Sequence, residues 1–197
     1  MAEHFESINQ MAINGLYEEV LIAGFGGQGI MLVGRLLAQT AMKAGKEVTC
    51  MPSYGAEVRG GTANCMVVIS DKPIACPLVS RPDSLIAMSK ASVNKFAESI
   101  KDGGVLVMNS SLIKERPQLS PTIEILAVPA DELALELGNI KAANMAALGA
   151  YLEKSKILSV DTAIECLPEV LAKRYHQILP VNAEALRKGA QFVARGP

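Results

Sequence analysis

Tryptophan is absent from this 197-residue chain, and aromatic side chains make up only 4% of it. Single-stranded nucleic acid is bound on stacked aromatic faces, so a platform of that kind is not expected. An excess of charge is lacking too: 19 Lys and Arg stand against 20 Asp and Glu, a formal net charge of −1. Phosphate backbones need a clustered cationic face, which argues against nucleic acid as a partner. Only two histidines occur, His4 and His176, and neither has a partner at metal-ligand or triad spacing. Both read as solvated or internally satisfied. No apolar run approaches the roughly 18 residues that cross a bilayer, so no membrane span is expected.

Cysteine is sparse and scattered. Cys50, Cys65, Cys76 and Cys166 form no C-x-x-C pair, which leaves a zinc ribbon, a thioredoxin-type site and a disulfide scaffold unsupported. An iron–sulfur cluster needs several thiolates at short spacing, so no metal centre is expected on this chain alone. Residues 1–19 hold Glu3, His4, Glu6, Glu18 and Glu19 and no apolar h-region, unlike a signal peptide. Asn109-Ser110-Ser111 therefore reads as an accidental match to a glycosylation acceptor. Four reduced, mostly buried cysteines and a cytoplasmic location are the expectation.

What the chain does have is hydrophobic material, 50% of residues against 20% charged. That excludes whole-chain disorder and suits one domain over residues 18–197, preceded by an N-terminal extension at 1–17. The unbroken apolar run 20–23 reads as a strand buried on both faces. Helical spacing over 28–44 follows, with Gly45 as its stop. A second strand at 47–51, halted by Pro52, completes a β-loop-α-β unit. Further strands are expected at 65–70, 84–88, 105–108 and 123–128, with 74–76 returning as a short antiparallel partner of the first of these. A helix is expected at 91–100. From Asp131 onward the pattern is helical, with Asn182 as an N-cap of the last helix. Residues 142–152 are apolar nearly all round, Asn144 being the one strongly polar residue. Such a helix must be buried in the core or against another subunit. The predicted class is α/β: a Rossmann-like, mostly parallel sheet with a C-terminal helical layer.

Gly24-Phe25-Gly26-Gly27-Gln28-Gly29 satisfies G-x-G-x-x-G between a predicted strand and a predicted helix. In such a loop Gly24 permits the tight turn, Gly26 lets an anion approach the backbone, and Gly29 allows close helix–strand packing. Free N–H groups and the positive helix end then favour phosphate or carboxylate. A nicotinamide dinucleotide site also wants an acid near the end of the second strand. The only nearby one, Glu47, opens that strand instead, so an ordinary NAD site is disfavoured. Glycines serving only turn and packing remain the alternative to a phosphate-bearing ligand.

The run Tyr54-Gly55-Ala56-Glu57-Val58-Arg59-Gly60-Gly61 leaves the carboxyl end of the second strand, where open α/β sheets hold ligands. Arg59 offers a planar fork for phosphate or carboxylate, and Gly60 and Gly61 admit close approach. On residue chemistry alone a solvated Glu57–Arg59 pair is an equal reading. Asp131, Glu132 and Glu136 read as acids favourable near a helix start. Met31, Met42, Met88 and Met145 read as core filling.

Together these two glycine motifs resemble the gamma subunit of 2-oxoacid:ferredoxin oxidoreductases, most of all the 2-oxoglutarate type. Ile69-Ser70-Asp71-Lys72-Pro73-Ile74, Pro77, Pro82-Asp83-Ser84-Leu85-Ile86-Ala87-Met88 and Asn144-Met145 with Leu148-Gly149 are similar in order and spacing. The indolepyruvate branch carries a different loop where Tyr54-Gly55-Ala56-Glu57 stands here, so the likeness is to the short-chain oxoacid branch. The resemblance implies an oxidoreductase complex that makes acyl-CoA and carbon dioxide from a 2-oxoacid and coenzyme A, with electrons passing to ferredoxin or a related acceptor. It places thiamine diphosphate, Mg and iron–sulfur clusters on alpha, beta and possibly delta partner subunits, with no catalytic residue on this chain alone. Gly24, Gly26, Gly27, Gln28 and Gly29 become candidates for contacts to coenzyme A phosphates. Tyr54, Glu57, Arg59, Gly60 and Gly61 become candidates for facing the partners' active site or holding the subunit junction. Branched-chain 2-oxoacids and pyruvate are the next substrates, and a stand-alone dinucleotide enzyme or a structural adaptor are the other classes. A bare apolar helix at 142–152 would also favour a homodimer in isolation.

Overall fold

The computed structural model describes residues 15–54 and 62–196. Six strands form one mixed sheet: β1 (Tyr17–Phe25), β2 (Glu47–Tyr54), β3 (Thr62–Ser70), β4 (Ser84–Ala87), β5 (Val105–Asn109) and β6 (Glu124–Val128), in the order β2-β3-β1-β4-β5-β6. The pairings β1–β4, β4–β5 and β5–β6 are parallel, while β3 runs antiparallel to both its neighbours. The mostly parallel α/β expectation holds, with one rearrangement. β2 does not pair with β1, because β3 folds back between them.

Two expected boundaries differ. β2 continues through Pro52 to Tyr54. It is an edge strand, so the missing N–H of proline is tolerated there. Residues 74–76 form no strand, and the 71–83 connection instead leads from β3 to β4 without pairing.

The larger core lies on one face of the sheet. There Val20 and Ile22 of β1 meet Ile30, Val33, Leu36 and Leu37 of α1 (Ile30–Lys43). The opposite face carries Leu21, Ala23, Leu85 and Leu106, covered by α2 (Lys90–Phe96). Alternation of side chains along β1 thus feeds both layers. Ser89 caps α2, its Oγ accepting from the Ser92 N–H at 3.2 Å.

The C-terminal layer comprises α3 (Ala130–Leu135), α4 (Ala143–Ser155), α5 (Val160–Val170) and α6 (Leu179–Ala194). Every residue from 142 to 152 is buried within the chain itself. The apolar helix is therefore the central core helix and not a bare partner surface. Its outer side is sealed by α6 through a glycine-lined crossing. A Cβ at Gly149 would lie 2.0 Å from the Leu186 carbonyl oxygen, and one at Gly189 would lie 1.9 Å from that of Ala146. Asn182 is not the N-cap of α6. The helix starts at Leu179, and Asn182 is a buried interior residue. Pro180 in the first turn suits that earlier start. Met88 and Met145 fill the core as expected and Met31 is half-buried, but Met42 is 59% exposed.

Candidate functional site

The glycine turn joins β1 to α1 at the carboxyl end of the parallel strands. Its geometry rests on Gln28. The Phe25 N–H donates to Gln28 Oε1 at 2.7 Å, and the Gln28 N–H donates to the Phe25 carbonyl at 3.2 Å. Gln28 Nε2 donates in turn to the Met88 carbonyl at 3.0 Å, just beyond β4. One side-chain amide thus closes the turn and ties it to the neighbouring strand.

Two of the three motif glycines, Gly24 and Gly29, do not act as the pattern suggests. Gly24 lies within β1 and has no positive φ. It makes room, since a Cβ there would stand 2.6 Å from Gln28 Oε1 and 2.7 Å from Ile30 Cδ1. Gly29 caps α1 in the left-handed conformation, φ 73°, and faces Asn144 of α4 instead of a strand. Gly26 and Gly27 are exposed, and Gly27 has φ 96° with open space where a Cβ would point.

The Gly29 carbonyl accepts from the N–H groups of Leu32 and Val33. No side chain caps α1, and the Ile30 and Met31 N–H groups meet no acceptor among the described residues. These uncapped donors and the positive end of a 14-residue helix follow directly on two exposed glycines, an arrangement suited to an anion. Asn144, 4% exposed, donates from Nδ2 to the Gly29 carbonyl at 3.3 Å. Its buried Oδ1 has no partner among the described residues. Composition marked Asn144 only as the polar exception in an apolar helix. Its contact with the turn spans 115 residues of sequence and has no local signal.

The second loop begins and ends beside this turn. Phe25 registers with Thr62, and Ala63 registers with Tyr54. Tyr54 closes β2, whereas Glu57, Arg59, Gly60 and Gly61 lie outside the described residues. Glu47 registers with Ser70, which registers with Tyr17 at the start of β1. That acid is the full length of β1 away from the glycine turn, so it cannot serve a ribose there. Among the described residues, no three His, Cys, Asp or Glu side chains gather as a metal set. His176 is satisfied, with its Nε2 3.1 Å from the Leu171 carbonyl. Asp131 and Glu132 fall in the first turn of α3, as their pattern predicts, while Glu136 lies just past its end.

The model of the pyruvate ferredoxin/flavodoxin oxidoreductase family matches residues 19–192, nearly the whole chain. The chain belongs to that family. It is 36% identical to the 2-oxoglutarate synthase subunit KorC of Methanothermobacter marburgensis, over 91% of this chain and 98% of that one. It is 39% identical to the ketoisovalerate oxidoreductase subunit VorA of the same organism, over 89% of this chain but 36% of that one. The chain therefore spans about a third of the VorA relatives it matches. The 2-oxoglutarate:ferredoxin oxidoreductase of Magnetococcus marinus, solved with 2-oxoglutarate, coenzyme A and succinyl-CoA bound, superposes with a TM-score of 0.77 at 27% identity. That match covers 89% of this chain and 31% of the other. The resemblance to oxidoreductase subunits and the α/β fold are both upheld.

At the far end of the sheet this family member holds a second polar cluster. Glu18 Oε1 accepts from Ser84 Oγ at 2.7 Å and from the fully buried Tyr151 hydroxyl at 3.2 Å. Burial raises the Glu18 pKa, opposed by the Ser84 hydrogen bond, with Asp83 adding to the rise. A carboxyl with a raised folded-state pKa stabilises the fold while protonated. That contribution is complete below the unfolded value, about 4.3, and is lost as pH rises through the folded one. Glu18→Gln keeps the acceptor and removes the titration. Its stability relative to the parent chain, from urea unfolding, should therefore climb between about pH 4.3 and 7. A flat difference over that range would contradict the assignment.

Proposed function

We propose that this chain is the gamma subunit of a multi-subunit 2-oxoacid:ferredoxin oxidoreductase whose substrate is 2-oxoglutarate. The complex would convert 2-oxoglutarate and coenzyme A to succinyl-CoA and carbon dioxide, passing two electrons to ferredoxin or a related acceptor. The observation that carries the reading is the nearly end-to-end match with a 2-oxoglutarate synthase subunit. A branched-chain 2-oxoacid is the second reading, favoured by the higher identity to VorA; pyruvate follows it.

In this reading the chain's own work is binding. Backbone N–H groups at exposed Gly26 and Gly27, with the uncapped first turn of α1 behind them, take a phosphate of coenzyme A, and Gln28 keeps those donors in place. Arg59, on the neighbouring loop, supplies a charged donor to the same ligand or to the subunit junction. Thiamine diphosphate, which supplies the carbon–carbon cleavage, sits with Mg and the clusters on alpha, beta and delta subunits. The described residues of this chain present no ligand set for a metal or cluster. The cell interior is the compartment this reading assigns. Among the described residues no helix is long and apolar enough to cross a membrane. A purely structural adaptor would leave both loops indifferent to coenzyme A.

The test is anaerobic affinity purification of the tagged chain from its native cells. The eluate is then assayed for coenzyme A-dependent dye reduction with 2-oxoglutarate, 3-methyl-2-oxobutanoate and pyruvate in parallel. Co-purifying thiamine-binding and ferredoxin-like partners with turnover on 2-oxoglutarate support the reading. Turnover confined to another oxoacid overturns the substrate, and a chain that elutes alone and inert overturns the assembly. Within an active complex, Arg59→Ala should raise the KM for coenzyme A about tenfold, the loss of one hydrogen bond to a charged group. An unchanged KM and kcat would remove Arg59 from the site.

A further inference from the structure

We propose that Cys50 and Cys65 form a thiol–disulfide exchange site at the edge of the sheet, reactive toward low-molecular-weight disulfides. This is a chemistry separate from the coenzyme A reading and does not rest on it. The two thiols lie on neighbouring strands, β2 and β3, with their sulfurs 3.4 Å apart. Cys50 registers with Val67 and Cys65 with Pro52, so they are diagonal neighbours on the same face. Helix α1 crosses above them, and its interior glycine is shaped to the pair. A Cβ at Gly34 would stand 2.3 Å from Cys65 Sγ and 3.7 Å from Cys50 Sγ. Glycine inside a helix costs about 1 kcal/mol relative to alanine, and here it leaves the space that the sulfurs occupy.

The two positions are unequal. Cys65 is 1% exposed, whereas Cys50 is half-buried. The hydrogen bond from Cys65 lowers the Cys50 pKa to about 7; burial opposes this and the positive charge of Arg35 adds to it. The same hydrogen bond, with burial, raises the Cys65 thiol. Cys50 is thus the attacking thiolate and Cys65 the resolving thiol.

The exchange runs in two steps. The Cys50 thiolate attacks one sulfur of a small disulfide RSSR, forming a mixed disulfide and releasing one thiolate. Cys65 then loses its proton and attacks Cys50 Sγ, forming the Cys50–Cys65 bond and releasing the second thiolate. Two protein thiols are oxidised, one RSSR is reduced to two RSH, and the two S–H protons end on the leaving groups. Closing the bond requires the sulfurs to approach by about 1.4 Å. Diagonal neighbours lie roughly 7–8 Å apart at Cα, beyond the roughly 6.8 Å that a disulfide usually spans, so bond closure requires the backbone to move. The strand that must give is β2, which among the described residues is the edge strand of the sheet.

The test uses the reduced full-length chain with oxidised glutathione as the probe and peptide mass mapping as the readout. Exposed Cys76 is the internal comparator. Glutathionylation of Cys50 ahead of Cys76, followed by a Cys50–Cys65 disulfide two hydrogens lighter, is the expected result. Iodoacetamide alkylation of Cys50 should level off above about pH 7, because a thiol of that pKa is already half ionised there. In Cys65→Ala the reaction should stop at the mixed disulfide on Cys50, and the alkylation profile should move to higher pH. Modification of Cys76 first, a persistent mixed disulfide in the parent chain, or Cys50 alkylation still climbing at pH 9 would each overturn the proposal. The parent-chain measurements decide it even if the variant fails to fold.

Discussion

Gly149→Ala is expected to destabilise the chain by about 3 kcal/mol, the upper end for overpacking a filled interior. The reason is specific to the α4–α6 crossing. The new methyl would lie 2.0 Å from the Leu186 carbonyl oxygen, 2.7 Å from its carbonyl carbon and 2.9 Å from its Cα. All three are backbone atoms of a helix, so no rotamer change relieves the contact. The helices must separate, and that opens the packing around Tyr151, Leu152 and Leu186, each at most 1% exposed. For a domain of this size the cost reads as a fall of roughly 6–12 °C in Tm. Gly189→Ala, which would press on the Ala146 carbonyl oxygen from the opposite side, should behave the same way. The double variant should cost less than the sum, because either methyl alone already parts the helices. A calorimetric Tm within 2 °C of the parent, a shift expected for about 1 kcal/mol at most, would show that the crossing is not tight.

Gly29→Ala should lower stability by about 2 kcal/mol and also disable the glycine turn. Two effects add. At φ 73° an alanine sits in the left-handed region, which costs roughly 1–2 kcal/mol for a residue with a Cβ. The same Cβ would stand 2.1 Å from Asn144 Nδ2. Asn144 must then leave the Gly29 carbonyl, and its buried amide, already unpartnered at Oδ1, loses its remaining hydrogen bond. Gly27→Ala is the informative contrast. It carries backbone strain but meets nothing within 4 Å, so its stability cost should be about half as large. If the N–H groups of the turn hold a phosphate, both variants should weaken coenzyme A binding by the assembled complex. Gly27→Ala should do so with little loss of Tm. Unchanged coenzyme A affinity in Gly27→Ala would reduce the turn to a structural element.

Much of this molecule was readable from local pattern. The apolar run at 20–23 and the helical spacing that follows Gly29 placed β1 and α1, because burial on both faces and a 3.6-residue period leave distinct signatures. The wholly apolar stretch at 142–152 announced a buried helix. Whether it was buried by this chain or by another was undecided, since apolarity measures only the need for cover. Leu186 and Gly189 of α6, some forty residues on in the sequence, supply that cover, and only the packed helices reveal it. Pro52 misled for a related reason. A proline forbids a ladder hydrogen bond, but at a sheet edge half of those positions bond to nothing.

The glycine turn divides in the same way. Sequence by itself determined that a strand ends in glycines before a helix, that no acid follows where a dinucleotide would want one, and that no metal-ligand spacing is present. Each of these depends on residue type and short separation along the chain. Tertiary structure alone decided what the glycines are for. Gly24 yields to the Gln28 amide, Gly29 to Asn144 across 115 residues, and Gly34 to the Cys50–Cys65 sulfurs. A missing Cβ looks the same in every sequence, and its meaning lies in whichever distant atom fills the space.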